Sequence, residues 1–326
     1  MKNIILKKSN NIKIGGLYGS SASLFIANII KEYTNIIVVV NNNNEINALS
    51  KEIECFSDKK TKINKFLDYD ALPYEEINLD SNILSERLKT YYHILNNSNN
   101  ITISCYSAIL KNIPAIDKIR KYFIKINKKT KFNELIQNIK QMNYFKTQEV
   151  KEKGEFRIQG SIIDIFPITE DGPYRIIYDN ESIDSIKSID INTQKSLKSI
   201  DQFVLCSTTE INLTDENISN YTKNCKKYFD SEYLEDLAYE KITNKMYHPS
   251  LYNLLPLFYN KSTNIFDMTN NKDTIIITSK DFLKGFKKYT DLFNNYYEKI
   301  KYEKNILLPS KILLDNKKIK DIVNKF

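Results

Sequence analysis

The chain has 326 residues, 41% of them hydrophobic, which is enough for two or three ordinary domains with their own cores. No apolar run approaches the ~20 residues that a membrane-spanning helix needs. The start, MKNIILKKSNN, lacks the apolar stretch and cleavage site of a signal peptide, so we expect a cytoplasmic protein with no membrane partner. The net charge of +8 is spread over many lysines, and solvated lysine faces are its expected origin.

The first motif in chain order is 14-IGGLYGSSASLFIAN-28, a turn rich in glycine and serine that leads into an apolar, helix-like segment. It resembles the pattern of a P-loop, G-x-x-x-x-G-K-[ST]. Gly16 matches the first glycine and Ser23 the final hydroxyl. Ser21 stands in place of the second glycine and Ala22 in place of the lysine. The pattern therefore predicts a degenerate P-loop.

These departures remove the groups that nucleotide chemistry needs. Ala22 supplies no charge, and Ser21 adds a Cβ where the backbone of a working loop approaches the phosphates closely. No apolar strand ends in the Asp-Glu pair that would support magnesium. The degenerate loop, which is not expected to bind ATP, comprises Gly16, Gly19, Ser21, Ala22 and Ser23. The simpler interpretation of this stretch is a helix capped by Ser20 or Ser21.

The rest of the first third alternates helix-like and strand-like signals, which is typical of a parallel α/β sheet. The predicted helices cover residues 23–33, 44–56 and 81–95. The predicted strands cover residues 35–40, the segment KINKFLDYD at 62–70, and residues 101–106.

The middle of the chain predicts an antiparallel sheet with one helix, over residues 131–142, packed against it. Its short apolar runs are separated by turn signals such as Lys153-Gly154 and Asp179-Asn180. The predicted strands cover residues 145–150, 155–158, 161–167, 174–179 and 183–191.

Beyond residue 201 the pattern is mixed again, with a strand at 203–206, a helix at 230–242 and a strong strand at 274–278. We expect this last part to return to the first sheet. The predicted fold class is α/β, with an α+β antiparallel-sheet domain inserted into it. Residues 1–117 and 202–326 would form the two segments of the first domain, and residues 118–201 the insert.

Cysteine and histidine usage gives no sign of a metal site. The four cysteines lie far apart and form no C-x-x-C pair, which argues against zinc and disulfides. With only His93 and His248, the chain has little material for histidine chemistry. We expect no cofactor. Local basic stretches at 118–131 and 317–326 keep a nucleic acid or an acidic partner as an alternative.

Three segments together resemble the N-terminal part of the bacterial transcription-repair coupling factor family, Mfd, which is itself similar to UvrB. The most specific one has a GEF-x-x-x-G-x-x-x-D-x-FP strand pair followed by P-Y-R and T-Q-x-S-L. The segments are 71-ALPYEEINLDSNILSERLKTYYHIL-95, 154-GEFRIQGSIIDIFPITEDGPYRIIYDNESIDSIKSIDINTQKSL-197 and 246-MYHPSLYNLLPLFYNKSTNIFD-267. The resemblance covers essentially the whole chain and implies a UvrB-like region with an inserted domain.

UvrB itself is the nearest competitor among families. UvrB proteins carry an intact P-loop and a long DNA-gripping hairpin after the LPY-like region. Here Leu72-Pro73-Tyr74 leads to Ser85-Glu86-Arg87-Leu88 without room for such a hairpin. Both departures favour Mfd.

The resemblance implies UvrA as a partner, because the inserted domain is similar to the UvrA-binding part of UvrB. The family contact resembles a polar strand surface anchored by two arginines and an aromatic residue, and these positions fall on Gln159, Arg175 and Asp179. Only Arg175 is retained. Arg157 lies two residues before Gln159, on the same face of an extended strand, and can partly replace the lost guanidinium. UvrA binding is thus expected, but weakened.

Full-length members of this family also carry an RNA-polymerase-binding domain and a helicase-like motor, and neither is visible in these 326 residues. RNA polymerase and DNA are therefore expected as partners only through domains absent here. The resemblance implies a non-catalytic adaptor that recruits UvrA to stalled RNA polymerase in nucleotide-excision repair and regulates that motor. The alternatives are a lysine-driven nucleic-acid-binding module and a residual ATPase or DNA translocase of UvrB type.

Overall fold

A computed structural model describes residues 12–96, 99–229, 231–269, 274–279 and 282–325 of the chain. The strands in chain order are β1 Asn35–Val40, β2 Lys62–Phe66, β3 Asn100–Cys105, β4 Ile113–Pro114, β5 Phe123–Asn127, β6 Phe145–Lys146, β7 Glu155–Gln159, β8 Ile162–Ile165, β9 Tyr174–Asp179, β10 Ser182–Ile189, β11 Ser196–Ile200, β12 Gln202–Cys206, β13 Ser262–Thr263 and β14 Thr274–Thr278. The α-helices are α1 Ser21–Ile29, α2 Asn43–Phe56, α3 Ser81–Asn96, α4 Tyr106–Ile109, α5 Ile116–Arg120, α6 Phe132–Gln141, α7 Asp215–Tyr228, α8 Leu237–Thr243, α9 Leu255–Phe258, α10 Phe282–Ile300, α11 Pro309–Ile312 and α12 Asn316–Lys325. Short 3-10 helices cover Ser231–Glu235, Pro249–Leu254 and Ile265–Met268.

A four-stranded parallel sheet forms the centre of the first unit, in the order β14-β1-β3-β2. Both central strands, β1 and β3, are buried along most of their length, although Asn100, Thr102 and Ser104 alternate with apolar residues in β3. Strand β1 is apolar without interruption over residues 36–40. Continuous apolar runs of this kind are typical of parallel strands that are covered on both faces. The pairing of β14 with β1 returns the last part of the chain to the first sheet, as predicted, and the α/β class is confirmed.

The helices beside this sheet follow from the spacing of their apolar residues. Helix α2 packs on β2 and β3 and buries Ile46, Ser50 and Ile53, which lie on one stripe because they are three and four residues apart. It begins at Asn42, whose side chain accepts the Glu45 backbone N–H at 3.0 Å and so satisfies one free donor of the first turn.

The second unit is a six-stranded sheet in the order β11-β10-β9-β8-β7-β6. All its neighbouring strands are antiparallel except β6 and β7, which are parallel. Alternate residues on one face, including Ile163 and Ile176, form a second core together with Leu135 and Ile139 of α6. The predicted sheet with one helix against it is therefore observed, apart from the direction of β6.

Strands β5 and β12 form a separate antiparallel pair beside this second core. Phe203 and Leu205 of β12 and Ile126 of β5 are buried in it. Strand β5 was not predicted, because the surrounding lysines of residues 118–131 hide the alternation of Ile124 and Ile126.

The predicted helix over residues 230–242 is interrupted, and its residue 230 lies outside the described residues. The 3-10 helix Ser231–Glu235 is followed by the separate helix α8, Leu237–Thr243. Asp236 lies between them, and its side chain accepts the Ala238 backbone N–H at 2.8 Å, which starts a new helix at this point. Among the helices of the described residues, none has the length and apolar character of a membrane span.

Candidate functional site

The face of the six-stranded sheet that lies opposite α6 carries the residues singled out for partner binding. Side chains alternate between the two faces of a strand, and residues paired across neighbouring strands share a face. Arg157 is paired with Asp164, and Asp164 with Arg175. We call this surface the outer face, and its polar members include Arg157, Gln159, Asp164, Arg175, Asp179 and Lys187.

Arg175 is held in a fixed orientation by Asp164 on the neighbouring strand. Its Nε donates to Oδ1 at 2.7 Å and its Nη2 to Oδ2 at 2.9 Å, a bidentate pair. Asp164 is only 3% exposed, whereas the Arg175 side chain keeps 21% of its surface in solvent. The hydrogen bonds from the guanidinium to Asp164 raise the pKa of Arg175 above its usual value. The pair therefore presents a positioned, charged guanidinium edge at the surface.

Arg157 and Gln159 meet on this same face. Arg157 Nη2 donates to the side-chain oxygen of Gln159. Arg157 is half-buried and Gln159 exposed. The Gln159 amide therefore serves as a local partner of the neighbouring Arg157 guanidinium.

Asp179 lies at the end of β9, in the tight turn to β10. It is exposed, and its carboxylate accepts the side-chain N–H of Asn180 at 3.3 Å. Asn180 has a φ of +54°, the left-handed conformation that a two-residue hairpin turn requires. Tyr178 points to the opposite face and packs edge-on against Phe132 of α6, with ring centroids 5.1 Å apart.

Two half-buried isoleucines lie between these polar groups on the outer face. Gln159 is paired with Ile162, and Ile162 with Ile177. Neither isoleucine was predicted as a site residue from the sequence. Asp164 was not predicted either, although it is the aspartate of the D-x-FP motif. The available signal was an ionisable residue inside an otherwise apolar strand, because buried carboxylates are paired.

The degenerate loop is separate from the outer face in the chain and is exposed over residues 12–20. Gly16 and Gly19 adopt φ values of +76° and +55°, which favour glycine, and the loop leads into α1. Ser23 is 1% exposed, and its hydroxyl donates to Glu52 on α2 at 2.6 Å. The hydroxyl that a working P-loop offers to magnesium is thus engaged inside the protein.

The predicted serine cap of this helix is wrong, because neither serine side chain makes a capping hydrogen bond. Ser20 occupies the N-cap position without a capping hydrogen bond from its side chain. The Ser21 hydroxyl donates to the Tyr18 carbonyl at 2.7 Å instead of accepting from a helix N–H. Helix α1 also begins and ends earlier than the predicted 23–33.

A buried ion pair joins the two segments of chain on either side of the second unit. Arg87 on α3 and Glu210, four residues after β12, are both 0% exposed. Arg87 Nε lies 3.1 Å from Glu210 Oε2, and its Nη1 donates to the Leu67 carbonyl at 2.7 Å. The hydroxyls of Tyr69 and Tyr91 also donate to the Glu210 carboxylate. Burial lowers the pKa of Arg87, but the charge and hydrogen bond of Glu210, together with Tyr69 and Tyr91, outweigh it and the net shift is upward.

Comparison with known proteins identifies first the class of the second unit. Residues 123–210 match the family model of the UvrB interaction domain. This match contains β5 to β12 and therefore the whole outer face.

The most similar relatives include transcription-repair-coupling factors, as the sequence analysis predicted. The chain is 31% identical over 264 residues to that of Rickettsia typhi, which covers 80% of this chain and 23% of the relative. The factor of Borreliella burgdorferi is 28% identical over 237 residues, or 70% of this chain and 21% of the relative. That of Escherichia coli K12 is 21% identical over 252 residues, or 76% of this chain and 22% of the relative. The predicted resemblance is confirmed, and the chain spans less than a quarter of the length of these relatives.

Proposed function

We propose that this chain is the UvrB-like part of a transcription-repair-coupling factor and that its outer face binds UvrA. The observation that carries the proposal is the position of Arg175. It lies inside the segment that matches the UvrB interaction domain, and Asp164 holds its guanidinium edge toward solvent. A planar guanidinium with a fixed orientation is well suited to recognise a carboxylate of a partner.

The outer face also has the arrangement of a small protein-binding surface. Ile162 and Ile177 supply a half-buried apolar centre, and Arg157 and Arg175 border it with positive charge. Central apolar contacts with a charged rim are typical of protein interfaces. Gln159 and Asp179 weaken this surface relative to the family, because the first has lost a charge and the second has replaced an aromatic anchor.

The most informative experiment measures complex formation with UvrA from a cognate source. The parent chain is expected to co-elute with UvrA in size-exclusion chromatography, and biolayer interferometry then gives the affinity. Arg175→Ala is expected to weaken binding about thirtyfold, equivalent to roughly 2 kcal/mol for an anchor residue. Lys198→Ala is the matched control, since Lys198 is exposed on β11 and is not part of the outer face.

Arg175→Ala also leaves the Asp164 carboxylate without its ion-pair partner, so circular dichroism must confirm that the variant is folded. Arg175→Lys provides a second variant, which keeps the charge near Asp164 but loses the bidentate fork. It is expected to fold normally and still bind more weakly than the parent. Absence of any complex with the parent chain would overturn the proposal, as would equal losses for Arg175→Ala and Lys198→Ala.

We further infer that the first unit is a degenerate P-loop domain and that the second unit is inserted into it. The parallel pairing of β14 with β1 supports this organisation, since the two strands come from opposite sides of the second unit in the chain. The predicted boundaries are 1–117, 118–201 and 202–326. The pairing of β12 with β5 favours extending the inserted unit past residue 201, to include β12.

We propose that the chain has no catalytic activity of its own and acts as an adaptor that recruits UvrA to stalled RNA polymerase. Regulation of the motor domains of the family belongs to the same proposal. The support is Ala22 in place of the lysine and the engagement of Ser23 with Glu52. A fluorescent ATP analogue at physiological magnesium is expected to show no saturable binding in the submillimolar range. Such binding would favour the alternative of a residual ATPase.

A further inference from the structure

A cleft of about 860 Å³ lies between the first unit and the second, away from the residues of the outer face. Helix α3 and the start of β2 line one side, and the β5–β12 pair and residues 169–171 line the other. Its basic side chains come from four separate elements and are Lys62, Lys89, Arg120 and Lys125. Part of the basic stretch 118–131 noted in the sequence therefore faces a concave surface.

Most of this positive charge is not neutralised. Lys62, Arg120 and Lys125 are exposed and form no ion pair within the described residues. Lys89 has only long contacts, at 3.5 Å to Glu86 and 4.0 Å to Asp171. Ion pairs of this length between partly exposed side chains contribute little free energy and leave the Lys89 charge largely uncompensated. Glu170 and Asp171 also line the cleft, but the four basic side chains outnumber them, and the charge of the cleft is net positive.

The lowered pKa of His93, which lies on the wall of the cleft, is consistent with this net positive charge. Its pKa is lowered to about 4, first by burial and then by Lys62 and Lys89, while Glu86 opposes the shift. Its Nδ1 lies 2.6 Å from the Asn64 side-chain oxygen, which fixes the ring in place. The imidazole is therefore neutral at physiological pH and offers a ring surface together with a polar edge.

Aromatic rings lie between the cations. Tyr92 and Phe123 are half-buried, with ring centroids 5.2 Å apart and planes tilted by 57°. Both line the cleft, as does Phe203 of β12. A groove that combines unpaired cations with accessible rings is typical of sites for single-stranded nucleic acid, because the cations contact phosphates and the rings stack on bases.

We propose that this cleft binds a short stretch of single-stranded nucleic acid, with phosphates against Lys62, Arg120 and Lys125 and bases against Tyr92 and Phe123. An acidic peptide would use the cations but leave the rings without a planar partner. A duplex keeps its bases stacked inside and cannot present them to the rings. The proposal is independent of UvrA binding, since none of its residues belongs to the outer face.

The test is fluorescence anisotropy with a labelled single-stranded DNA of roughly 12 nucleotides, within the range of single-strand site sizes. A duplex of the same sequence and a labelled polyglutamate peptide are the comparison probes. The single strand is expected to bind at least about tenfold more tightly than either comparison probe, because each stacked base adds affinity. No binding of the single strand at about 50 mM salt would overturn the proposal.

Matched double variants separate the cleft from general lysine attraction. Arg120→Gln with Lys125→Gln removes two charges from the cleft. Lys128→Gln with Lys129→Gln removes two charges from the same basic stretch, at exposed positions that do not line the cleft. The first double variant is expected to weaken binding about tenfold or more and to reduce the salt slope by about 1.4, since each phosphate contact to a single strand contributes about 0.7.

The control double variant is expected to keep the parent's affinity within a few-fold, and its salt slope. Tyr92→Leu is expected to weaken binding about tenfold without changing the slope, because stacking is lost while the charges remain. Equal losses in the two double variants would overturn the proposal in favour of non-specific attraction. Equal or tighter binding of polyglutamate would overturn it in favour of an acidic peptide partner, and equal binding of the duplex would overturn it as well.

Discussion

Replacing Arg87 by methionine is expected to destabilise the protein strongly, because the partner charge stays behind in the core. The Glu210 carboxylate is 0% exposed and would lose its only cation within hydrogen-bond distance in the described residues. The Leu67 carbonyl would lose a donor at 2.7 Å. Removing one partner of a buried ion pair typically costs about 3–5 kcal/mol.

The structure places the expected loss near the lower end of that range. Tyr69 and Tyr91 still donate hydrogen bonds to the carboxylate when Arg87 is removed. The guanidinium also lies 3.9 Å from the centre of the Phe66 ring and 4.3 Å from that of Tyr69. Methionine retains part of this contact, because its sulfur packs well against aromatic rings. We therefore expect a loss of about 3 kcal/mol.

Urea unfolding followed by far-UV circular dichroism measures this loss, since the chain contains no tryptophan for fluorescence. With a slope of about 2 kcal/mol per molar urea, a loss of 3 kcal/mol lowers the unfolding midpoint by roughly 1.5 M. The control is the double variant Arg87→Met with Glu210→Gln. It removes the uncompensated charge and keeps an oxygen for the tyrosine hydroxyls, and it is expected to recover more than half of the lost stability.

A loss below about 1 kcal/mol, or simple additivity of the two substitutions, would refute the reasoning that Glu210 is a charged and buried partner.

Three further predictions concern separate parts of the molecule. The ring protons of His93, assigned by NMR, are expected to titrate near pH 4, and a titration near pH 6.5 would contradict this. Because the unfolded chain takes up the proton first, the folded state is expected to lose stability as the pH falls from 6.5 toward 4. Gly285→Ala is expected to lower the thermal midpoint of unfolding, because the Cβ of the new alanine would lie 2.5 Å from a ring carbon of Tyr106. This clash is expected to outweigh the helix propensity of alanine, which exceeds that of glycine by about 1 kcal/mol. An unchanged midpoint would show that the Tyr106 ring moves freely. Asp179→Phe introduces the aromatic residue that the resemblance predicts at this position, and it is expected to tighten the proposed UvrA binding about tenfold or more by biolayer interferometry. Unchanged affinity would exclude this turn from the interface.

Much of the first sheet could be predicted because its signals are local. The run 35-NIIVVV-40 is apolar without interruption and bounded by polar residues, and β1 has the predicted bounds. The strand 174–179 was also predicted with its observed ends. Its alternation places Arg175 and Asp179 on one face and Tyr178 on the other, since the side chains of an extended strand have a period of two.

The missed features depend on residues that are far apart in the chain. The partner of Arg87 is 123 residues away, and no local pattern distinguishes Arg87 from the exposed charges beside it. The strand β5 is defined by its pairing with β12, about 80 residues later, and its lysines match a solvated basic stretch equally well. The cleft between the units likewise combines residues from α3, β2, α5, β5 and β12.

The sequence by itself predicted the resemblance of this protein to transcription-repair-coupling factors, since it carries spaced motifs such as GEF…D-x-FP and P-Y-R. It also predicted where this chain departs from the P-loop pattern and from the resemblance, at positions such as Ala22 and Asp179, because such departures are a matter of residue identity. Only the tertiary structure decided which charges are paired. Whether a carboxylate such as Asp164 fixes an arginine, or a cation such as Arg120 lines a cleft, depends on distances of a few ångströms between strands and helices. The chain brings these elements together only on folding.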